Sequence, residues 1–483
     1  MKTNLLFRLL FVGMFLSGIW LGSSPLSAAS TIPVTTMVDN LADDGQCSLR
    51  EAVVAANTDT ATGGCPAGNG ADVIIFDPSL ATPAVFTLAM TGTNEDSAAT
   101  GDLDITGILT IQGVGAGQII IDGNETDRVF DIRPGATVTI SGIAIQNGNP
   151  GSGANGGGII VNGGAPRTKL TLLDSVVTSN TATIGGGIHN AGNGATAVIQ
   201  DTQIISNFAA TSGGGIANSG NLTLLNSTLT QNQARTGGGI EHFGFSMNLI
   251  NSTVSGNSAS DNGGGLYNRG DTIILNATFS GNTASGPDTG GNIFQDTASM
   301  AIKNSIVADS DTDGNCFRNE GFLISQGNNL DSGNTCGFNG DGDRINTDPL
   351  FGPLQNNGGF TWTHALLAGS PAIDAGTNNG CPSDDQRGFF RPVDGDLDGT
   401  AACDIGAYES QPITPSATPS QTPRPTDTPT PTLPQPPTAT KTSTPVPPTP
   451  TPAPAPPTPP CLNIGVGMIL IASLFRWKKS TGL

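Results

Sequence analysis

The sequence predicts an all-β fold, a parallel β-helix built as a solenoid of short stacked coils. Three observations predict it. The signature Gly-Gly-Gly-Ile/Leu ends at Ile159, Ile188, Ile216, Ile240 and Leu266, with a degenerate copy ending at Ile293, at spacings of 29, 28, 24, 26 and 27. An Asn-x-Ala mark precedes it at Asn180, Asn207, Asn232, Asn257 and Asn282, at spacings of 27, 25, 25 and 25. A third mark comes earlier in each unit: Leu172-Leu-Asp-Ser, Leu224-Leu-Asn-Ser, Leu249-Ile-Asn-Ser, Ile274-Leu-Asn-Ala and Ile302-Lys-Asn-Ser. Gly and Asn, which tolerate left-handed backbone, separate apolar runs too short to be ordinary helices. Three short strands and three turns fill about 25 residues, one coil of a β-helix. Such a coil buries its inward residues only when stacked on neighbours. Leu224, Leu229, Ala234 and Ile240 are the inward set expected for one coil. A shared register of this length favours the solenoid over a β-sandwich, which even strand spacing alone would also fit.

The elements follow in chain order. Lys2 and Arg8 set positive charge ahead of an apolar run from Leu9 to Leu21, and Ser27-Ala28-Ala29 offers small residues for cleavage. Residues 1–29 therefore read as a secretion signal, with a mature chain from Ser30. Residues 30–100 are expected to form an N-terminal cap. Within them Ser48 and Glu51 make an S-x-x-E capping box, and Leu49, Ala52, Val53 and Ala56 recur at helical spacing. A short amphipathic helix there would close the open end of the solenoid, which would otherwise aggregate. Residues 101–330 carry the coils. Leu109-Thr-Ile111, Ile119 to Ile121 and Val138-Thr-Ile140 look like coils that precede the regular repeats. Residues 331–410 form a C-terminal module. Its aromatic and basic group comprises Trp362, His364, Arg387, Phe389, Phe390, Arg391 and Tyr408.

Residues 411–460 hold 20 of the 34 prolines, alternating with Thr, Ser and Ala, and no Phe, Tyr or Trp. This composition cannot bury a core and is expected to run as a disordered, extended stalk. Residues 461–483 are expected to be a short apolar tail, a membrane anchor or processed sorting signal. There Leu462 to Phe475 is stopped by Arg476, Trp477, Lys478 and Lys479.

Six of the seven cysteines fall into close pairs: Cys47 with Cys65, Cys316 with Cys336, and Cys381 with Cys403. Export permits disulfides, and pairing of neighbours is the expectation among 15 connectivities. Cys461, at the stalk–tail boundary, is free, cross-linked or acylated.

Composition excludes some functions. With 39 acidic and 19 basic residues the net charge is −20, and such a chain lacks the basic face that nucleic acid requires. Glycine at 67 of 483 argues against long interior helices.

Two motif sets carry resemblances. Asp43-Asp-Gly-Gln-Cys47-Ser-Leu-Arg-Glu-Ala52 resembles the CSLREA motif of bacterial exported proteins. Asp348 to Gly359, Gly369-Ser-Pro-Ala-Ile-Asp-Ala-Gly376, Asp385-Gln-Arg-Gly388, Arg391-Pro392 and Cys403-Asp-Ile-Gly-Ala-Tyr-Glu409 resemble the choice-of-anchor Q domain. The Gly-Gly-Gly-Ile and Asn-x-Ala marks are similar to repeats of chlamydial polymorphic outer-membrane proteins. The resemblance implies a right-handed parallel β-helix on a cell surface with no established enzymatic activity. The chain lacks the C-terminal β-barrel of those outer-membrane proteins.

The expected function is display at the cell surface, adhesin-like or structural, with an extracellular polysaccharide or a surface protein bound along the repetitive face. The alternative is a polysaccharide lyase or glycoside hydrolase of the pectate-lyase-like β-helix type, which needs paired acids or a Ca²⁺–basic arrangement in a cleft. No residue is assigned as catalytic. His189, Glu241, His242, Tyr267 and Arg269 follow the glycine corner and are expected to line one edge of the rod, with His242 replacing the Asn of Asn190, Asn218 and Asn268. Trp362 is expected either to stack on a sugar or to seal the last coil. Asp309, Asp311 and Asp313 around Gly314, with Glu320 beyond, match a calcium-loop pattern, and Asp394, Asp396 and Asp398 repeat its first half. Structural Ca²⁺ is the cofactor that these loops would hold.

Overall fold

In the computed structural model, residues 29–412 are described except Asn94, Pro287 and residues 311–313. The expected signal, stalk and tail, Cys461, Asp311 and Asp313 lie outside the described residues. The described chain is a parallel β-solenoid. Its first sheet has 11 strands, the second 9 and the third 10, and the strands of each pair in parallel with the coils before and after them. A fourth sheet of 5 strands, from Thr181–Ile184 to Thr283–Ala284, forms an extra wall on the middle coils. The register matches the repeat marks. Leu224 stands between Ile199 and Leu249, Leu229 between Ile204 and Val254, and Ile240 between Ile216 and Leu266. All of them, with Ala234, are buried.

Two residue types make the corners. At Gly238 an added Cβ would lie 2.3 Å from the Ser258 carbonyl oxygen of the next coil, so only glycine lets the coils approach there. The asparagine of the Asn-x-Ala mark turns inward. Asn180, Asn207, Asn232, Asn257 and Asn282 are fully buried, or 1% exposed in the case of Asn207. Each side-chain amide donates to the next one's Oδ1 at 2.7–3.0 Å, the last of them to Asn292. Each Nδ2 also donates to a strand carbonyl of the preceding coil, as Asn232 does to Ile204 at 2.8 Å. The Oδ1 of Asn232 accepts from both the backbone N–H and the Nδ2 of Asn207. A polar column thus crosses the interior with its donors and acceptors matched.

The N-terminal end is closed by helix α1, Leu49–Thr58. The Ser48 hydroxyl accepts from the Glu51 N–H and the Glu51 carboxylate accepts from the Ser48 N–H, so the capping box is formed. Arg50 is fully buried. It pairs with both oxygens of Asp39 and donates to the carbonyls of Ala98, Gly101 and Asp102, bolting the helix to the next coil. Cys47, just before the helix, is joined by a disulfide to Cys65, just after it. Both cysteines are buried in the main core, so the bond ties the two flanks of α1 together beneath the cap. The region expected to be only a cap also supplies strands. Ser30–Val34 and Ala71–Phe76 begin the first sheet and Ala84–Thr87 begins the third, because their alternating apolar residues find the next coil as partner.

At the other end the seal is Phe338, which with the disulfide between Cys316 and Cys336 joins the main core beneath the last coil. Trp362 does not seal that coil. Residues 348–410 fold back along the outside of the third sheet as a strap. The Thr228 hydroxyl donates to the Trp362 carbonyl at 2.6 Å, which places Trp362 beside a central coil. Gln386 bonds Thr228, Thr253 and Thr361 together. Within the strap Arg387 pairs with Asp385 and lies 3.5 Å from the Tyr408 ring centroid, while buried Arg391 faces Glu409. The third disulfide, between Cys381 and Cys403, also lies in the strap, so all three expected neighbour pairings are formed. Among the described residues no helix is long and apolar enough to cross a membrane.

Asn232→Ala breaks the amide column at its middle: the Asn207 N–H loses its acceptor, and Asn207 Nδ2 and Asn257 Oδ1 each lose one partner. An orphaned buried group costs about 1–3 kcal/mol. Urea unfolding will show a lower midpoint than wild type, whereas Gln233→Ala, on the exposed side of the same corner, will match wild type within error.

Candidate functional site

Each strand of the second sheet is only a few residues long, and its middle residue faces away from the core. Coil stacking puts these residues in one longitudinal row: Asp104, Asp131, Ile160, His189, Ala217, Glu241, Tyr267, Phe294 and Phe317. His189, Glu241 and Tyr267 therefore share a face, as expected from their spacing. The face is not open. They are 8%, 6% and 7% exposed, because the glycine corner folds the neighbouring wall against the row. A Cβ at Gly185 would sit 2.8 Å from the His189 Cβ.

His242 is not in this row at all. It is one residue further on, points inward, and is fully buried. Its Nδ1 lies 2.8 Å from Asn218 Nδ2, so it takes an Asn place in a second interior polar column. Arg269 is half-exposed but bound to Asp296 at 2.8 Å, and Asp296 also accepts from the Tyr267 hydroxyl. Tyr267, Phe294 and Phe317 stack at centroid distances of 5.0 and 5.2 Å and close that end of the row. Of the five residues, one is thus interior and four are sheltered or internally paired.

The row opens at its N-terminal end, upstream of the residues expected to line it. A cavity of about 550 Å³ lies between the second sheet and the loop 150–154. Its lining carries Glu95, Asp96, Asp102, Asp127 and Asp131 with Arg128 and Arg133. Asp104 and Asp131 are opposed in register, so strand pairing alone brings two like charges together. The arginines offset that repulsion. One nitrogen of Arg128 bonds Asp102 at 2.9 Å and Asp131 at 3.1 Å. Arg133 reaches Asp131 at 3.1 Å, Asp96 at 2.8 Å and Asp104 at 3.8 Å. The acids still outnumber the bases. Burial, against the pull of Arg128, pushes Asp102 up to about 8. Burial likewise pushes Asp104 up to about 7, and Asp127 and Asp131 are raised for the same reason. Nearby His189 is pushed down to about 4 by burial and by the Arg128 charge, so it is neutral at pH 7.

Chemically, the cavity offers carboxylate acceptors, guanidinium donors and buried carboxyls that carry a proton near neutral pH. The sequence signal was present as Asp102-Leu-Asp104 and Asp127-Arg-Val-Phe-Asp131-Ile-Arg133. It lies upstream of the regular repeats, and only coil stacking joins the two segments.

The expected calcium residues are arranged differently from their sequence pattern. Asp394 and Asp396 come together with Asp374, not with Asp398. Both Asp374 oxygens already accept backbone N–H groups, from Gly395, Asp396 and Ala402. The Asp398 carboxylate accepts from the Thr400 N–H. Of the other loop, Asp309 and Glu320 are described.

The chain matches no known family model and no curated protein. The crystal structure of the pectate lyase Pel9A is similar in backbone at a TM-score of 0.40 and 12% identity, over 80% of this chain and 97% of that one.

The acidic cluster sets a pH dependence. Between 3.8 and about 8 the folded chain holds a proton on Asp102 that the unfolded chain has released. Stability then falls as pH rises through this window. Thermal unfolding will show a higher midpoint at pH 5 than at pH 8, and Asp102→Asn will shrink the difference. An equal difference in the variant would mean that other groups set it.

Proposed function

We propose that the protein is a surface-displayed binding protein that takes a carbohydrate through the cavity at the N-terminal end of the second sheet. The observation that carries this reading is the lining itself: five acidic side chains interleaved with two arginines around about 550 Å³. A sugar ring presents hydroxyls as both donors and acceptors. Carboxylates accept from them and guanidinium groups donate to them, and hydrogen bonds to charged groups are the stronger kind.

Display rests on the sequence. The leader-like N-terminus, the proline-rich stretch, the apolar run before Arg476, and the resemblance to CSLREA and choice-of-anchor Q proteins all support export and tethering. The second reading, hydrolysis or lyase cleavage of a polysaccharide, has one observation in its favour. Asp102, a carboxyl held protonated near pH 7, shares an arginine nitrogen with Asp131. That pairing of an acid with a second carboxylate is what general acid–base cleavage uses.

A glycan-array screen of the purified protein, followed by product analysis on every polysaccharide that binds, separates the readings. Binding without new chain ends is the expected result. Asp96→Asn, at the exposed rim, will weaken that binding by about tenfold, the loss of one charged hydrogen bond. New unsaturated or reducing ends would give the cavity to the enzyme, and silence on all glycans would remove carbohydrate from the function.

A further inference from the structure

The strap covers only part of the third sheet. Strands Thr228–Thr230, Thr253–Ser255, Thr278–Ser280 and Ile306–Ala308 are buried on both faces. Val176–Thr178 and Gln203–Ile205, two coils earlier in the same sheet, keep their outer residues partly exposed. The strap ends at Phe360, where the Gln203 side chain donates to the Phe360 carbonyl at 2.8 Å. Beyond it a groove of about 550 Å³ continues along the same flank to the loop 113–117.

The corner row beside this flank changes chemistry at the same place. Asp174, Asp201, Asn226, Asn251, Asn276 and Asn304 hold the same left-handed turn, with φ between 47° and 49°. Under the strap the corner side chains donate. Asn251 Nδ2 bonds the Asp384 carbonyl at 2.7 Å, Asn276 the Asp404 carbonyl at 3.2 Å, and Asn304 the Thr377 carbonyl at 3.0 Å. An asparagine corner thus bonds a backbone carbonyl of whichever part of the strap lies over it, while the segment 360–364 crosses the coils in order, from Gln203 through Thr228 to Ser255. In the open groove the corners are Asp174 and Asp201, which as carboxylates only accept. They are the two charged residues in its lining, and both are acidic. The outer rows change too. The covered coils present Thr228, Thr253 and Thr278, while the open ones present Val176 and Gln203 at the same register.

We propose that this groove is a docking site for an extended polypeptide segment of a partner protein carrying lysine or arginine, laid end to end with the strap. The interface continues one that the chain already makes with itself, and its charge complements a basic segment. Three coil spacings of about 4.8 Å correspond to about four extended residues. The lysine or arginine side chains meet Asp174 and Asp201, and small apolar residues between them meet Val176 and Val114. This site is separate from the carbohydrate cavity and does not depend on that reading.

The test uses two fluorescent pentapeptides with the purified full-length protein, one alternating valine with lysine and the other valine with glutamate. The lysine peptide is expected to bind, more weakly at high salt, and the glutamate peptide is not. Asp174→Asn combined with Asp201→Asn will weaken lysine-peptide binding at least about tenfold, as loss of close interfacial charge pairs does. The variant keeps the fold, because asparagine already occupies this turn at 226, 251, 276 and 304, and an unchanged unfolding midpoint checks that. Equal binding of both peptides, undiminished binding by the double variant, or no binding of the lysine peptide would each overturn the proposal. A dimer of the wild type that the double variant dissolves would overturn it in favour of a second copy of the chain.

Discussion

Everything in this structure rests on coils stacking at one-strand spacing with their corners superimposed. A single coil of about 25 residues has no core of its own. It is held by the coil before it and the coil after it, so any side chain at a corner meets its own counterpart. Two solutions recur. Glycine removes the side chain where backbone meets backbone, and asparagine supplies one whose donor and acceptor match those of the next copy. The buried column from Asn180 to Asn282 satisfies its amides with protein partners, which lets polar groups cross an otherwise apolar interior. His242 fits its own column for the same reason: an imidazole nitrogen can meet the Asn218 amide.

The same stacking decides where function can reside. Any row of identical positions is compressed to one strand spacing, which shelters most of its members from solvent. Openings occur where the repeat is irregular. The acidic cavity lies where the coils before Ile159 lack the fourth-sheet wall, and a loop, 150–154, stands in its place. Stacking there sets Asp104 against Asp131, and burial raises both carboxyls above the usual carboxylate range. The arginines keep the cluster folded, yet leave an excess of acid. The strap obeys the same geometry from outside. Separate parts of it meet the corner asparagines 251, 276 and 304, so a sequence repeat becomes a row of hydrogen-bond donors.

Much of the fold was legible in the sequence because the repeat is local. The inward set Leu224, Leu229, Ala234 and Ile240, the capping box of Ser48 and Glu51, and the neighbouring cysteine pairs such as Cys47 with Cys65 each depend on residues within about one coil. What the sequence could not decide involves contacts between distant segments. Trp362 lies against Thr228, 134 residues away, and Gln386 reaches Thr228 across 158. No spacing rule links such pairs. The inward turn of His242 was equally hidden, since a strand of three residues gives too little alternation to tell one face from the other. The acidic site was missed because its halves, Asp102 to Asp104 and Asp127 to Arg133, sit in successive coils without the regular marks.

The sequence by itself determined that this chain is a solenoid, where its regular repeats fall, and that a capped helix closes its N-terminal end. Those are properties of a period, and a period is written in the order of residues. The tertiary structure alone decided which polar residues are exposed, which carboxylates share a cavity, and that residues 348–410 lie along the flank and not over the end. Burial and electrostatic coupling depend on what the neighbouring coil and the strap place within a few ångströms, and in the strap contacts that neighbour is as much as 158 residues away.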